Sequence, residues 1–232
     1  MHSIIGHRGA MTYAVENTVS SIYAVKALNH NWIEADVLLT KDNVPIMFHD
    51  ETLDRLTHAT GNLNSYNYDE LKNIELKNTK NKIPHLSEFV EKCDKLKINI
   101  MLELKTCHNE YHLVIKVIET IKKIKNIIII MCTYSKRILA YLNLLYPNNS
   151  YIYIVDEIPD NWYETVKKYK CCGISISYNC NELKDIKLCC DKIPTYCFTI
   201  NTKNDYDNIK KINIKGVITD KPEIFYPNIS HK

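Results

Sequence analysis

Apolar residues recur along this chain in two rhythms. Short β-rich runs are predicted as strands at residues 3–6, 32–37, 98–104, 127–133, 151–155, 173–177, 195–200 and 216–219. Between most of them the period lengthens to that of a helix. Tyr111, Val114, Ile115, Ile118 and Ile121, for example, recur at helical spacing with charged residues opposite. Strands alternating with helices predict a parallel sheet. About eight such units in 232 residues predict an α/β fold of the closed (β/α)₈ TIM-barrel type. An open doubly wound sheet is the alternative. The chain has neither a GxGxxG turn nor a P-loop, which weakens nucleotide-binding forms of that alternative.

The rhythm breaks in one place. After Val37 the pattern runs on through Leu38, Leu39 and Thr40. It turns at Lys41-Asp42-Asn43 and returns as Val44 to Phe48, a hairpin signal. Residues 51–83 are then polar and irregular. Residues 1–232 are therefore expected to form a single barrel domain, with an insertion at about 38–83 lying over the active face.

Composition narrows the function. Hydrophobic residues make up 45% and charged residues 25%, the usage of a folded globular chain. The net charge of +3 comes without a basic stripe, which argues against nucleic-acid binding. The longest apolar run, 127–132, has strand length, so no stable membrane insertion is expected. The first residues lack the pattern of a secretory signal, which predicts a cytoplasmic location. The nine cysteines include no CxxC pair and read as reduced, packed side chains outside the pocket. Oligomeric state leaves no signal.

The chemistry concentrates at strand ends. Glu34 and Asp36 are at i and i+2, so they share one face of their strand, with Ala35 turned to the helices. Two adjacent carboxylates call for a cation, and an oxygen-only set suits Mg²⁺ or Ca²⁺. The hairpin folds Phe48 or His49 back opposite Asp36, which brings in an imidazole for proton transfer. His7-Arg8-Gly9 follows the first strand, and Arg8 offers a fork for phosphate. Glu16 is placed to pair with Arg8, and Asn17 or Thr18 to cap the helix behind it. Glu103 and Lys105 repeat the i, i+2 spacing on the third barrel strand, a third metal oxygen and a charge for phosphate. Acids for a hard cation, cations for an anion and two histidines together suit metal-assisted phosphoester cleavage.

These pieces resemble the glycerophosphodiester phosphodiesterase family. They are His7-Arg8-Gly9, Glu16-Asn17-Thr18, Glu34-Ala35-Asp36, Leu39-Thr40-Lys41-Asp42, His49-Asp50, Leu53-Asp54-Arg55 and Ile83-Pro84. Glu103-Leu104-Lys105, Phe198-Thr199-Ile200-Asn201 and Thr219-Asp220-Lys221-Pro222 complete the set. The resemblance implies hydrolysis of a small glycerophosphodiester to sn-glycerol 3-phosphate and an alcohol. It implies a divalent cation on Glu34, Asp36 and Glu103, and His7 and His49 as the acid–base pair. Arg8, Lys105, Glu16 and Phe198 are then expected on the substrate side. Water or the glycerol 2-hydroxyl serves as nucleophile. Phe198 and Thr133-Tyr134 depart from the family's usual tryptophan and Ser-Phe, which bears on the alcohol side. Two other readings remain: a phosphodiesterase of the lysophospholipase D kind, and a non-catalytic protein that binds glycerol phosphate.

Overall fold

The computed structural model describes residues 2–225. Nine strands and eight α-helices follow one another along it. They run β1 (Ser3–Gly6), α1 (Val19–Ala27), β2 (Trp32–Leu39), β3 (Pro45–Met47), α2 (Tyr68–Leu71) and α3 (Leu86–Leu96). Then come β4 (Asn99–Leu104), α4 (Glu110–Ile121), β5 (Ile129–Thr133), α5 (Lys136–Leu145), β6 (Tyr151–Val155) and α6 (Trp162–Lys168). The series closes with β7 (Gly173–Ser177), α7 (Leu183–Cys190), β8 (Thr195–Phe198), α8 (Lys203–Ile209) and β9 (Gly216–Thr219). All strands but β3 pair in parallel, in the order β1-β2-β4-β5-β6-β7-β8-β9. β9 pairs back onto β1 through Ile4↔Val217 and Ile5↔Ile218, which closes a TIM barrel.

Alternation along the strands divides the core in two. Ile33, Ala35 and Val37 on β2 and Ile174 and Ile176 on β7 face outward and bury against the helices. Ile5, Met101, Cys132, Ile152, Ile154, Tyr196 and Ile218 turn inward and fill the barrel. Glu34 and Asp36 occupy the inward face of β2, as their spacing requires. The predicted strands at 127–133 and 195–200 are shorter than expected, ending up as Ile129–Thr133 and Thr195–Phe198.

The buried stripe of α4 is also rotated from the predicted one. Leu113, Val114, Val117, Ile118 and Ile121 are its buried apolar residues. Tyr111 is exposed, with its ring edge-on to Tyr141 of α5. An amphipathic Tyr tolerates water at its hydroxyl end, so helical spacing alone does not place it inside.

The hairpin forms as predicted. Val37, Leu38 and Leu39 pair antiparallel with Met47, Ile46 and Pro45, and Phe48 N–H donates to the Asp36 carbonyl at 3.2 Å. The irregular segment beyond it has a core of its own. Leu38, Ile46, Phe48, Leu53, Leu63, Leu71, Leu76 and Ile83 form a second apolar cluster rooted on the hairpin. It holds residues 49–55 over the barrel mouth. Leu53→Ala is expected to cost about 2–5 kcal/mol of unfolding free energy, the range for a buried leucine. Urea denaturation checks this, and a loss under about 1 kcal/mol would mean the segment packs independently of the barrel.

Candidate active site

The loop after β1 is shaped by backbone geometry. Arg8 (φ 50°) and Gly9 (φ 111°) both lie in the left-handed region. A Cβ on Gly9 would sit 2.3 Å from the Ser21 Cβ, so this loop lies against α1 as only glycine permits. The sharp turn aims the Arg8 backbone N–H at Glu34 Oε2, 3.0 Å away. Thr18 caps α1 by accepting from the Ser21 N–H. Asn17 is left free to clamp Asp36. Its Nδ2 donates to Asp36 Oδ2 (2.8 Å) and its Oδ1 accepts from the Asp36 N–H (3.0 Å).

Glu34, Asp36 and Glu103 each offer a carboxylate oxygen within 4.8 Å of the others. β2 and β4 pair in parallel with Asp36 opposite Glu103, which sets this convergence by register. Burial, then the neighbouring Asp36 and Glu103 charges, push the Glu34 carboxyl well above its ordinary range. Burial and Asp36 push Glu103 up to about 7 against the opposing effect of Lys105. Lys105 Nζ lies 3.0 Å from Glu103 Oε1 and 3.9 Å from Asp36 Oδ1. Arg8 Nε lies 3.5 Å from Asp36 Oδ2. Burial opposes the Arg8 charge, yet Asp36, Glu16 and Glu34 around it hold the guanidinium more firmly ionised than usual.

Both histidines present the same design. His7 Nδ1 meets Asp220 Oδ1 at 2.5 Å, and His49 Nδ1 meets Asp50 Oδ1 at 2.7 Å. Burial raises both aspartates, but their hydrogen-bonding partners outweigh it and hold both below the usual range. A carboxylate only accepts, so each imidazole carries its proton on Nδ1. This leaves each Nε2 for chemistry, and that of His7 lies 3.9 Å from Glu34 Oε2. Burial, partly opposed by Asp36, lowers the His49 pKa. Asn201 completes the first pair by donating from Nδ2 to Asp220 Oδ2 at 2.6 Å. Arg55 completes the second. Its Nε donates to Asp50 Oδ2 (2.6 Å), while Nη1 and Nη2 donate to the two oxygens of Glu16 (2.7 and 2.8 Å). Glu16 also accepts from Arg8 Nη1 at 2.9 Å.

One cavity of about 180 Å³ gathers His7, Arg8, Glu34, Asp36, His49, Glu103, Lys105 and Phe198 at the carboxyl ends of the strands. Glu16 does not line it. Its side chain is 3% exposed and lies between the two arginines, so it reaches the cavity through Arg8. Cys132 departs from the expectation for the cysteines, since it lines the cavity wall. It pairs in register with Glu103 on the adjacent strand, so its inward face is shared with the acid. Of the two residues expected to cap α1, Thr18 does so and Asn17 instead holds Asp36, while sequence reasoning assigned no individual role to Asp50, Arg55, Asn201 or Asp220. The signal for Asp220 was barrel closure, because residues that follow β1 and β9 must be neighbours. Arg55 sits in aperiodic sequence that offered no such signal.

A parallel barrel with acids, imidazoles and fixed cations around one cavity at its carboxyl face is built as a phosphodiester hydrolase. The chain belongs to the glycerophosphoryl diester phosphodiesterase family, whose model matches residues 7–224. It is similar to the glycerophosphodiester phosphodiesterase of Bacillus subtilis (strain 168), with 23% identity over 249 residues, 96% of this chain and 84% of that one. Its fold is similar to an Oleispira antarctica phosphodiesterase solved in complex with the product sn-glycerol-3-phosphate. That match has a TM-score of 0.92 at 25% identity and covers 97% of this chain and 95% of the other. A glycerophosphodiester phosphodiesterase from Thermotoga maritima matches with a TM-score of 0.79 at 27% identity, covering 98% of each chain. Among the described residues no helix is long and apolar enough to cross a membrane.

The arginine network makes a pH-dependent contribution to stability. Burial alone would raise the Glu16 carboxyl, but Arg55 and Arg8 together hold it below its ordinary range. A depressed carboxyl stabilises the fold above its unfolded pKa of about 4.3 and stops doing so as pH falls through the folded value. Arg55→Met is expected to cost about 1–3 kcal/mol near neutral pH, the penalty for depriving a buried polar group of a partner. The gap between wild type and variant should close as pH falls below about 4. Urea midpoints measured across pH check this, and a gap that persists at low pH would mean the arginine contributes by packing alone.

Proposed function

We propose that the chain hydrolyses small glycerophosphodiesters to sn-glycerol 3-phosphate and an alcohol, through one barrel domain carrying residues 38–83 as an insertion. His7 and His49 form the acid–base pair, and Glu34, Asp36 and Glu103 hold a divalent cation, Mg²⁺ or Ca²⁺. The observation that carries this reading is the pair of imidazoles, each tied at Nδ1 to an aspartate and both bordering the cavity that contains the three acids. Nine free cysteines fit a reducing compartment, which supports a cytoplasmic location.

The three acids fit the metal. All donors are oxygen, which suits a hard cation. Among the described residues the three carboxylates face two nearby fixed cations, Arg8 and Lys105, and two of the acids have raised pKa values. A divalent ion held there would offset the negative charge on the phosphoryl oxygens in the transition state. The protein's own groups do the rest. Arg8 and Lys105 hold the phosphate, with Glu16 and Asp36 positioning the Arg8 guanidinium. Phe198 packs on the carbon skeleton. One imidazole takes a proton from the nucleophile at Nε2, and the other donates one to the leaving alkoxide. Asp50 and Asp220 accept from Nδ1 and so keep each ring oriented with Nε2 available to the substrate.

Asp36→Asn and Glu103→Gln are expected to abolish most cation binding with the fold intact, and calorimetric titration with Mg²⁺ or Ca²⁺ reads this directly. Cation affinity should also fall as pH drops through about 7, because the Glu103 proton must leave before its oxygen can bind. Full activity after exhaustive chelation would sink the metal assignment.

His7→Ala and His49→Ala should each lower kcat by roughly 10²–10⁴-fold, the usual worth of positioned proton transfer. A p-nitrophenyl ester has a leaving group that needs no proton, so it should rescue only the variant lacking the general acid. Equal rescue of both would contradict the division of roles.

A further inference from the structure

Ser175 lies midway along β7 with its side chain turned into the barrel, since Ile174 and Ile176 on either side pack outward. It is 1% exposed, and its Oγ is buried without a hydrogen-bond partner. Other hydroxyls at the strand ends are satisfied. Thr133 donates to the Leu104 carbonyl (2.8 Å), and Thr219 to Asn201 Oδ1 (3.1 Å). Ser175 pairs in register with Ile154 on one side and Tyr196 on the other. With Met101, Cys132, Ile154 and Ile218 it lines the apolar part of the cavity whose rim carries the histidines and acids.

An unpartnered hydroxyl in such a place costs free energy, about 1–3 kcal/mol by mutational measure. A side chain retained at that cost is explained by a ligand that completes it. The charged rim takes the phosphate, so the floor takes whatever the phosphate carries inward. Among the described residues the floor around Ser175, formed by Met101, Cys132, Ile154 and Ile218, presents no carboxylate and no cage of several aromatic rings, which a quaternary ammonium seeks. A short carbon arm ending in a hydroxyl fits both the apolar wall and the hydroxyl that waits there. We propose that Ser175 hydrogen-bonds the terminal hydroxyl of the substrate's glycerol arm and selects glycerol esters over those lacking that hydroxyl. This rests on the phosphodiesterase reading above.

The test crosses two enzymes with two substrates in the presence of Mg²⁺. Wild type and Ser175→Ala are assayed on glycerophosphocholine and on the choline phosphodiester of propane-1,2-diol, in which hydrogen replaces the terminal hydroxyl. Both substrates keep the 2-hydroxyl, so either nucleophile remains available. Wild type should favour the glycerol ester by about tenfold in kcat/KM, the scale of one neutral hydrogen bond in a buried site. In Ser175→Ala that preference should shrink to within about twofold. The melting temperature of the variant should hold or rise, because it loses an unsatisfied buried group. A preference that survives the substitution would overturn the assignment to Ser175, as would a fall of several degrees in melting temperature, which marks a structural hydroxyl. Failure of wild type to cleave either ester would overturn the phosphodiesterase reading itself and this inference with it.

Discussion

Three carboxylates held within 4.8 Å of one another set the terms for the barrel mouth. Like charges at that separation, removed from water, repel strongly. The protein does not relieve this by spreading them apart, because strand register fixes Asp36 beside Glu103. It surrounds them with donors instead. Asn17 clamps Asp36, the Arg8 backbone reaches Glu34, and Lys105 leans on Glu103. Each donor in turn needs an anchor. Arg8 needs Glu16 and Glu16 needs Arg55, so the charge balance spreads from β2 into the insertion.

This explains why the segment between β2 and α3 has its own apolar cluster. Arg55 must present three donors to two carboxylates from different elements, which requires a fixed backbone. Leu53, two residues away, is fully buried and supplies that fixity. His49 gains its orientation from the same network through Asp50. His7 depends instead on Asp220 and Asn201 from the far end of the chain. The two imidazoles are therefore positioned by separate supports, one in the insertion and one at barrel closure.

What the sequence made legible follows from periodicity. Strand alternation put Glu34 and Asp36 on one face, and the hairpin turn returned Phe48 to Asp36, because both are counting arguments that tertiary packing leaves alone. Helix faces were less secure, as the exposed Tyr111 shows, since aromatic residues satisfy apolar and aqueous surroundings alike. The histidine partners required topology. Asp50 is adjacent in sequence to the residue it orients, but Asp220 is 213 residues from His7 and becomes its neighbour only when β9 closes on β1. Arg55 obeys no period: the sequence offered it only within the matching Leu53-Asp54-Arg55 piece, and its bridge between Asp50 and Glu16 required the fold. Cys132 shares the inward face of its strand with the cavity, a placement that cysteine spacing cannot reveal.

The cavity departs from the rules that the rest of the fold obeys. Its rim has more acid than its fixed cations balance, and its floor holds a hydroxyl with no partner. Elsewhere the inward face is apolar and the strand-end hydroxyls are satisfied. Both departures oppose stability, and both lie within one small enclosure. Local violations concentrated in this way are the structural mark of a site shaped for its ligands. An acidic excess is completed by a cation and an orphan hydroxyl by another hydroxyl, so the two deficits call for different parts of one bound complex. Repacking either with apolar side chains would remove the deficit and raise stability, and would also erase the feature that distinguishes this barrel mouth from the rest of the fold.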